Sequence, residues 1–586
     1  MTPTRLVTLI AILAAAMAAC GRSEAPAEPG HDMNALLDFV PADTPYLAAN
    51  LAPLPDEFID AWLVRLQPVL EEMQVQLTAA RADLEEAEST ANDSGAAAGD
   101  PAARLRLAVL RELDGKLDRA GLESLGFDVG AHKVVYGLGA FPVVRVALAD
   151  TGAFRATVQR ILDGAGISAP EQTYQGVSYW RLADEDPDEG QIGLYLAILD
   201  DHLAAGVLPP GAEEEWLPAF LGLEMPAGSD ARDRLADLNQ RHGYTPHGSG
   251  ILDLHRLADQ FLQPDALTAR TITASGHTDL ATLSADCVAE IHSIIDQAPR
   301  MTAGTTELST DAIGFQYRVE TPATLAARLM GMVADIPAVD AASARMLDVA
   351  FGMRFGAARD FVQEKAAAIA AEPYLCEHLQ GLNESAANAL AQLEQPMPPF
   401  VNNFRGVRVS LDDVRFGGDP LPAGARGHVA VHVEKPEMFV GMAQMFLPDL
   451  SELAITAGDP PVRLPESLVP APGMVAFAAM SDDAIGLSVG AGEEQGLPAF
   501  LDRKAGPEGM FLSASYDTAA YLDYTGRFGA DRYGEERDRI NASVTDAVSA
   551  IAEAGGAALR ATADRSLTTL RFSPDALVVD ERMTFR

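Results

Sequence analysis

Two distant stretches of this chain repeat one pattern, and that repetition constrains the fold more than any other feature. The first runs Ala197-Ile198-Leu199-Asp200-Asp201-His202-Leu203-Ala204-Ala205-Gly206-Val207, then Glu213-Glu214-Glu215-Trp216-Leu217-Pro218-Ala219-Phe220-Leu221. The second runs Ala478-Ala479-Met480-Ser481-Asp482-Asp483-Ala484-Ile485-Gly486-Leu487-Ser488-Val489, then Glu493-Glu494-Gln495-Gly496-Leu497-Pro498-Ala499-Phe500-Leu501. Each reads as strand, Asp-Asp turn, strand, acidic helix start and helix. Aspartate favours tight turns, and carboxylates suit the positive end of a helix dipole. Upstream, Val146-Ala147-Leu148-Ala149-Asp150 leading to Phe154 matches Val431-His432-Val433-Glu434-Lys435 leading to Phe439, each a strand feeding a helix. Val469-Pro470-Ala471, ahead of a strand expected over 474–479, also echoes Val40-Pro41-Ala42. The expected fold class is α+β: duplicated antiparallel sheet-plus-helix modules with a helical insert and an N-terminal helical hairpin.

The first module is expected over 36–275. Its opening strand follows Pro45, and a helical hairpin occupies 57–120. In that hairpin Ile59, Leu63, Leu66, Leu70, Met73, Leu77, Ala80, Leu84 and Ala87 repeat at alternating four and three spacing, with Pro68 as a kink or restart. A sheet-capping role suits the hairpin better than a projecting arm. A mainly helical insert is expected over 276–400, including helices around 325–333 and 346–371. The second module follows over 401–586 and closes with two antiparallel strands around Ser573-Pro574-Asp575.

At the amino terminus, Arg5 supplies a positive charge and Leu6 to Ala16 form an apolar run too short to be a stable membrane span. The run ends in Met17-Ala18-Ala19-Cys20, which resembles the lipobox of bacterial lipoproteins, with methionine where leucine is usual. The resemblance implies a signal peptide over 1–19, cleavage before Cys20, lipid on the Cys20 thiol and a flexible tether over 20–35. With Gly21 rather than aspartate after the cysteine, it implies delivery to the periplasmic face of the outer membrane. The opening Pro41-Ala42-Asp43-Thr44-Pro45 resembles that of a broad, uncharacterised family of exported bacterial proteins, which implies no activity.

The formal net charge is -41, so the surface repels a phosphate backbone and excludes nucleic acid as a partner. Lysine occurs only at Lys116, Lys133, Lys365, Lys435 and Lys504, and arginine carries the remaining positive charge. Beyond Cys20 the cysteines are Cys287 and Cys376. In an oxidising compartment such a pair reads as a structural disulfide, here bracketing the expected insert.

HExxH, Walker and SxxK signatures are absent from the sequence. The sharpest candidates for chemistry are His242, His247, Asp253 and His255, whose imidazoles and carboxylate could ligate a metal if 251–255 were a strand with Asp253 and His255 on one face. Their spacing matches no known site, and a solvated turn is the blander account. Asp184, Asp186 and Asp188 start like a calcium loop, but Tyr195 stands where the bidentate glutamate belongs. Asp200 with Asp201, and Asp482 with Asp483, read as turn residues. Met438, Phe439, Met442, Met445, Phe446 and Leu447 form a soft apolar helix face suited to core packing. No cofactor is expected. The reading is a non-enzymatic lipoprotein anchored through Cys20 that binds an envelope protein or an apolar ligand. A periplasmic hydrolase and a purely structural component are the alternatives.

Overall fold

The computed structural model describes residues 35–93, 101–166, 171–182, 193–209, 211–212, 214–274, 283–339, 343–395, 399–416, 422–451, 453–469, 473–502, 504–522 and 555–586. These mix helix and strand and fall into two units. The first draws on Met1–Leu283, Arg300–Ile313 and Phe528–Thr562, the second on Ser284–Pro299, Gly314–Arg527 and Ala563–Arg586.

In the first unit the elements are β1 (Tyr46–Ala49), α1 (Asp56–Asp93), α2 (Pro101–Leu113), β2 (Lys133–Leu138), β3 (Phe141–Ala147), α3 (Thr151–Ala165), β4 (Gln172–Tyr174), β5 (Val177–Leu182), β6 (Gly193–Ile198), β7 (His202–Leu208), α4 (Leu217–Phe220), α5 (Ala231–His242), β8 (Ser249–Asp253), α6 (Leu254–Leu262) and β9 (Arg300–Leu308). Antiparallel pairing runs β4-β5-β6-β7-β3-β2-β1-β8-β9. Alternation along β7 feeds two cores, because successive strand side chains point to opposite faces. Leu203 packs with Phe154, Leu162, Trp180 and Ile198 beneath α3. Ala204 joins Val143, Tyr195, Leu217, Phe220 and Leu235 on the other face.

Local capping sets the ends of α3. Asp150 accepts a hydrogen bond from the Ala153 amide at 2.9 Å, and Gly166 leaves the helix at φ 59°, a left-handed turn that favours glycine. The helical hairpin is docked rather than projecting. Arg111 pairs with Glu85 across α1 and α2, and Glu112 of α2 accepts from Arg160 of α3 at 2.6 Å. Hydrogen bonds from Arg160 are the largest effect on the Glu112 carboxyl, and they hold it below its usual range against burial. Pro68 lies inside α1 without ending the helix.

In the second unit the elements are α7 (Ala285–Ile295), β10 (Ala312–Glu320), β11 (Leu347–Gly352), α8 (Phe355–Ala371), α9 (Gln380–Leu393), β12 (Phe404–Phe416), β13 (Pro422–Val433), α10 (Pro436–Phe446), β14 (Val462–Arg463), β15 (Ala476–Met480), β16 (Ala484–Val489), α11 (Leu497–Leu501), β17 (Met510–Asp517), β18 (Ala563–Ser573) and β19 (Ala576–Phe585). Pairing runs β14-β15-β16-β13-β12-β11-β17-β18-β19-β10. From β14 to β18 this is the order found from β5 to β9. Its core gathers Ala430, Ala479, Ala484, Leu497, Phe500 and Leu501 under α11, with Ala334, Ile336 and Ala350 beside it.

Three expectations need correction. The span 276–400 is not a separate helical insert. It holds β9, β10 and β11, and β11 lies in the middle of a sheet between β12 and β17. The helix expected over 346–371 is split for the same reason, with β11 first and α8 after it. Val469 does not repeat the role of Val40: β1 follows Val40 and is central, whereas β15 follows Val469 and sits between β14 and β16.

Cys287 on α7 and Cys376 are bonded, with their Cα atoms 4.6 Å apart. Ser284 caps α7 by accepting from the Cys287 amide at 3.1 Å. The Glu290 carboxylate accepts from the Leu375 and Cys376 amides at 2.8 and 2.9 Å, so α7 grips the Cys376 segment by two means.

Candidate functional site

The four residues singled out for metal binding are brought into separate structural duties. Asp253 ends β8 and caps α6, accepting from the Arg256 amide at 2.9 Å. His255 is therefore on a helix, and the shared strand face that 251–255 was expected to form does not exist. The His247 Nδ1–H donates to the Pro53 carbonyl at 2.9 Å, and His242 packs against Tyr244 with ring centroids 5.5 Å apart. Among the described residues, no three His, Cys, Asp or Glu side chains are placed to hold a metal. Asp184, Asp186 and Asp188 lie outside the described residues, as does Cys20.

What the fold does assemble is a buried chain of polar groups in each unit, and it starts from the Asp-Asp turn. Asp201 closes the β6–β7 turn and its backbone carbonyl accepts from Leu148 at 3.0 Å. Its carboxylate, about half exposed, accepts from His202 Nδ1 at 2.7 Å. The other ring nitrogen, Nε2, lies 2.8 Å from Arg145 Nη1. A guanidinium only donates, so His202 Nε2 must carry a lone pair and Nδ1 the proton. Arg145 is fully buried on β3. It also donates to Tyr136 Oη at 3.1 Å and the Phe220 carbonyl at 2.7 Å, and lies 3.9 Å over the Phe39 ring. The last carbonyls of a helix have no intrahelical donor, so this cation satisfies the end of α4 from inside the core.

The second unit has the same parts on different strands. Asp483 closes the β15–β16 turn and its backbone carbonyl accepts from Val433 at 2.9 Å. Arg408, also fully buried, donates to the Phe500 carbonyl at the end of α11 at 3.0 Å and lies 4.3 Å over the Phe500 ring. His432 is buried on β13, two positions from Ala430, the residue opposite Arg408. Burial is the main effect on its pKa and, with the nearby Arg408 charge, lowers it to about 4 against an opposing pull from Asp483. Registers reveal an exchange. In the first unit, arginine on β3 faces Val134 and Ala204, and histidine on β7 faces Ala147. In the second, Ala430 on β13 faces Arg408 on β12, and Ala484 on β16 faces His432 on β13. With the two pairing orders laid side by side, each polar residue stands one strand across at the same level of the sheet. Close packing of the short helix is handled alike. A Cβ on Gly206 would stand 2.9 Å from the Phe220 ring, and one on Gly486 would stand 2.8 Å from Leu501.

Beside this chain, Glu493 is buried in a tight charge cluster. Arg345 and Arg426 donate to its carboxylate at 2.9 and 2.7 Å, Arg345 also reaches Asp412 at 2.6 Å, and His428 Nε2 donates to the Glu493 carbonyl at 2.8 Å. Burial pushes the Glu493 carboxyl up, but the hydrogen bonds from Arg426 and Arg345 outweigh it and hold the group below its usual range. A carboxylate pinned by two guanidinium groups is a poor general base.

The soft apolar face of α10 is only partly packed. Val440 is buried, but Met445, Phe446 and Leu447 are exposed, which corrects the core reading for that end of the helix. Gln444 ties this end to the following loop by donating to the Leu453 carbonyl at 3.0 Å. Leu453 in turn lines an open cavity of about 560 Å³ together with Leu464, Pro465, Val469 and Met474. Among the described residues no helix is long and apolar enough to cross a membrane.

Set against protein-family models, curated proteins and solved structures, the chain has no match.

The sequence reading missed Arg145, His202, Arg408 and His432. A local signal was present, since Val144-Arg145-Val146, Val407-Arg408-Val409 and Val431-His432-Val433 each place one polar residue inside an apolar strand.

Proposed function

We propose that this chain is an envelope lipoprotein, held by lipid on Cys20 at the periplasmic face of the outer membrane, whose body binds an apolar ligand or a partner protein without catalysing a reaction. The observation that carries the non-catalytic reading is the employment of its polar residues. Asp253 caps a helix, His247 holds the Pro53 carbonyl, Glu493 is clamped by two arginines, and Arg145 and Arg408 terminate helices. The binding reading is supported by the open cavity and the exposed Met445 and Phe446 on the neighbouring segment. One experiment tests both parts: the wild type extracted from envelopes is compared with Cys20→Ser. The wild type should fractionate with membranes and carry label from palmitate, and Cys20→Ser should be soluble and unlabelled. Both should retain the same co-purifying lipid or envelope protein. Membrane retention of Cys20→Ser removes the anchor, and two preparations free of any bound species remove the binding role.

We infer further that the two units are copies of one module. The shared pairing order, the Asp-Asp turns and the two helix-terminating arginines support this reading. It predicts that the first unit's arrangement can be transplanted. Arg408→Val alone should lower stability by about 3 kcal/mol, because it strands buried polar groups. Adding Ala430→Arg, His432→Ala and Ala484→His should restore most of that loss in a urea titration. No restoration would mean that the two sets arose independently.

A further inference from the structure

We propose that Asp483, His432 and Arg408 form an acid-released latch on α11: a proton taken up by His432 weakens the hold of Arg408 on the Phe500 carbonyl, and the short helix loosens from its sheet. His432 is 2% exposed, and its Nε2 has no hydrogen-bond partner among the described residues. Register places the charged groups: Arg408 of β12 is opposite Ala430, two positions from His432 on the same face of β13, and Asp483 precedes Ala484, the residue opposite His432 on β16; both charges act on the ring. Leu497–Leu501 of α11 brings no titratable side chain. Just past the end of its strand Glu434 is paired with Arg405, and on the strand His428 is occupied with the Glu493 carbonyl. A charged imidazole here would stand beside a buried guanidinium in a medium that screens poorly, with one partly solvated carboxylate to offset it.

The helix it controls is built to move as a small piece. Leu497–Leu501 spans little more than one turn, has no side-chain cap at its start, and is held by the apolar contacts of Leu497, Phe500 and Leu501 and by Arg408. The sign follows from linkage. The closed form keeps His432 neutral down to about pH 4, whereas a solvated histidine protonates near 6.5. Closure is therefore fully favoured above about pH 6.5 and loses ground as pH falls toward 4. The full difference amounts to roughly a hundredfold in the opening equilibrium at about pH 4.

Hydrogen exchange on the intact chain, corrected for intrinsic rates, tests this at about pH 7.5 and about pH 4, the two sides of the histidine range. Amides of 497–501 should exchange up to roughly a hundredfold faster in acid, while those of β12 and β13 stay protected. His432→Phe, which keeps the bulk and cannot take a proton, should hold 497–501 equally at both pH values. Asp483→Asn, which removes the one group favouring the charged ring in the closed form, should leave the onset near pH 6.5, carry the loosening on to lower pH and enlarge it at about pH 4. Should His432→Phe fail to fold, His432→Gln and the Asp483→Asn effect decide alone. Equal protection of the wild type at both pH values overturns the latch, and so does acid loosening that persists in both His432 variants.

Discussion

Replacing Cys287 and Cys376 together by serine should lower the stability of the second unit by about 4 to 5 kcal/mol in the chain-entropy account of a closed loop. The cysteines are 89 residues apart in sequence, so the bond removes a large set of unfolded conformations. Its native geometry is also supported independently: Ser284 fixes the start of α7, and Glu290 holds the Leu375 and Cys376 amides. Those contacts should keep the reduced form native-like, so that the loss shows as a shifted urea midpoint rather than as a different fold. Exchange protection in β11–β13 reports on this unit directly. A shift worth less than about 1 kcal/mol would mean that the unfolded chain is already constrained, or that the reduced native state relaxes.

Arg145→Met should cost the first unit about 3 to 5 kcal/mol, the range found when one partner of a buried polar set is removed. The variant keeps much of the aliphatic stem but leaves Tyr136 Oη, His202 Nε2 and the Phe220 carbonyl without their shared donor. Arg145→Lys should fall between the two. An ammonium restores the charge but lacks the planar fork that reaches three acceptors at once. Because Asp201 is about half exposed, Asp201→Asn should cost far less than Arg145→Met, since water can hydrate the turn. Equal effects for the two would mean that the chain is driven from its surface end.

Local chemistry explains which parts were legible in the residues alone. The Asp-Asp turns, the Leu-Pro-Ala-Phe helices and the Ser573 to Asp575 turn are encoded within a few positions, and they stand where the pattern put them. Asp253 and His255 failed as a pair because a strand and a helix meet between them, and Asp253 is well suited to starting the helix. The 276–400 region misled because apolar residues in β11 also fit a helical repeat, and short apolar runs are ambiguous between the two periods. Met445 and Phe446 looked like core because periodicity reports an apolar face without reporting what covers it.

Taken alone, the order of residues determined the sequence of strand, turn, strand and helix in both units, since turn propensity, alternation and capping act over a few bonds. It also marked the cysteine pair. Only the tertiary structure decided that Asp201, His202, Arg145 and the Phe220 carbonyl would meet, and that their counterparts would occupy neighbouring strands in the second unit. Such meetings depend on which strands pair and in what register, a choice made by the packing of whole sheets. An arginine on β3 and one on β12 can therefore each reach the end of a short helix without standing at matching positions of the residue pattern.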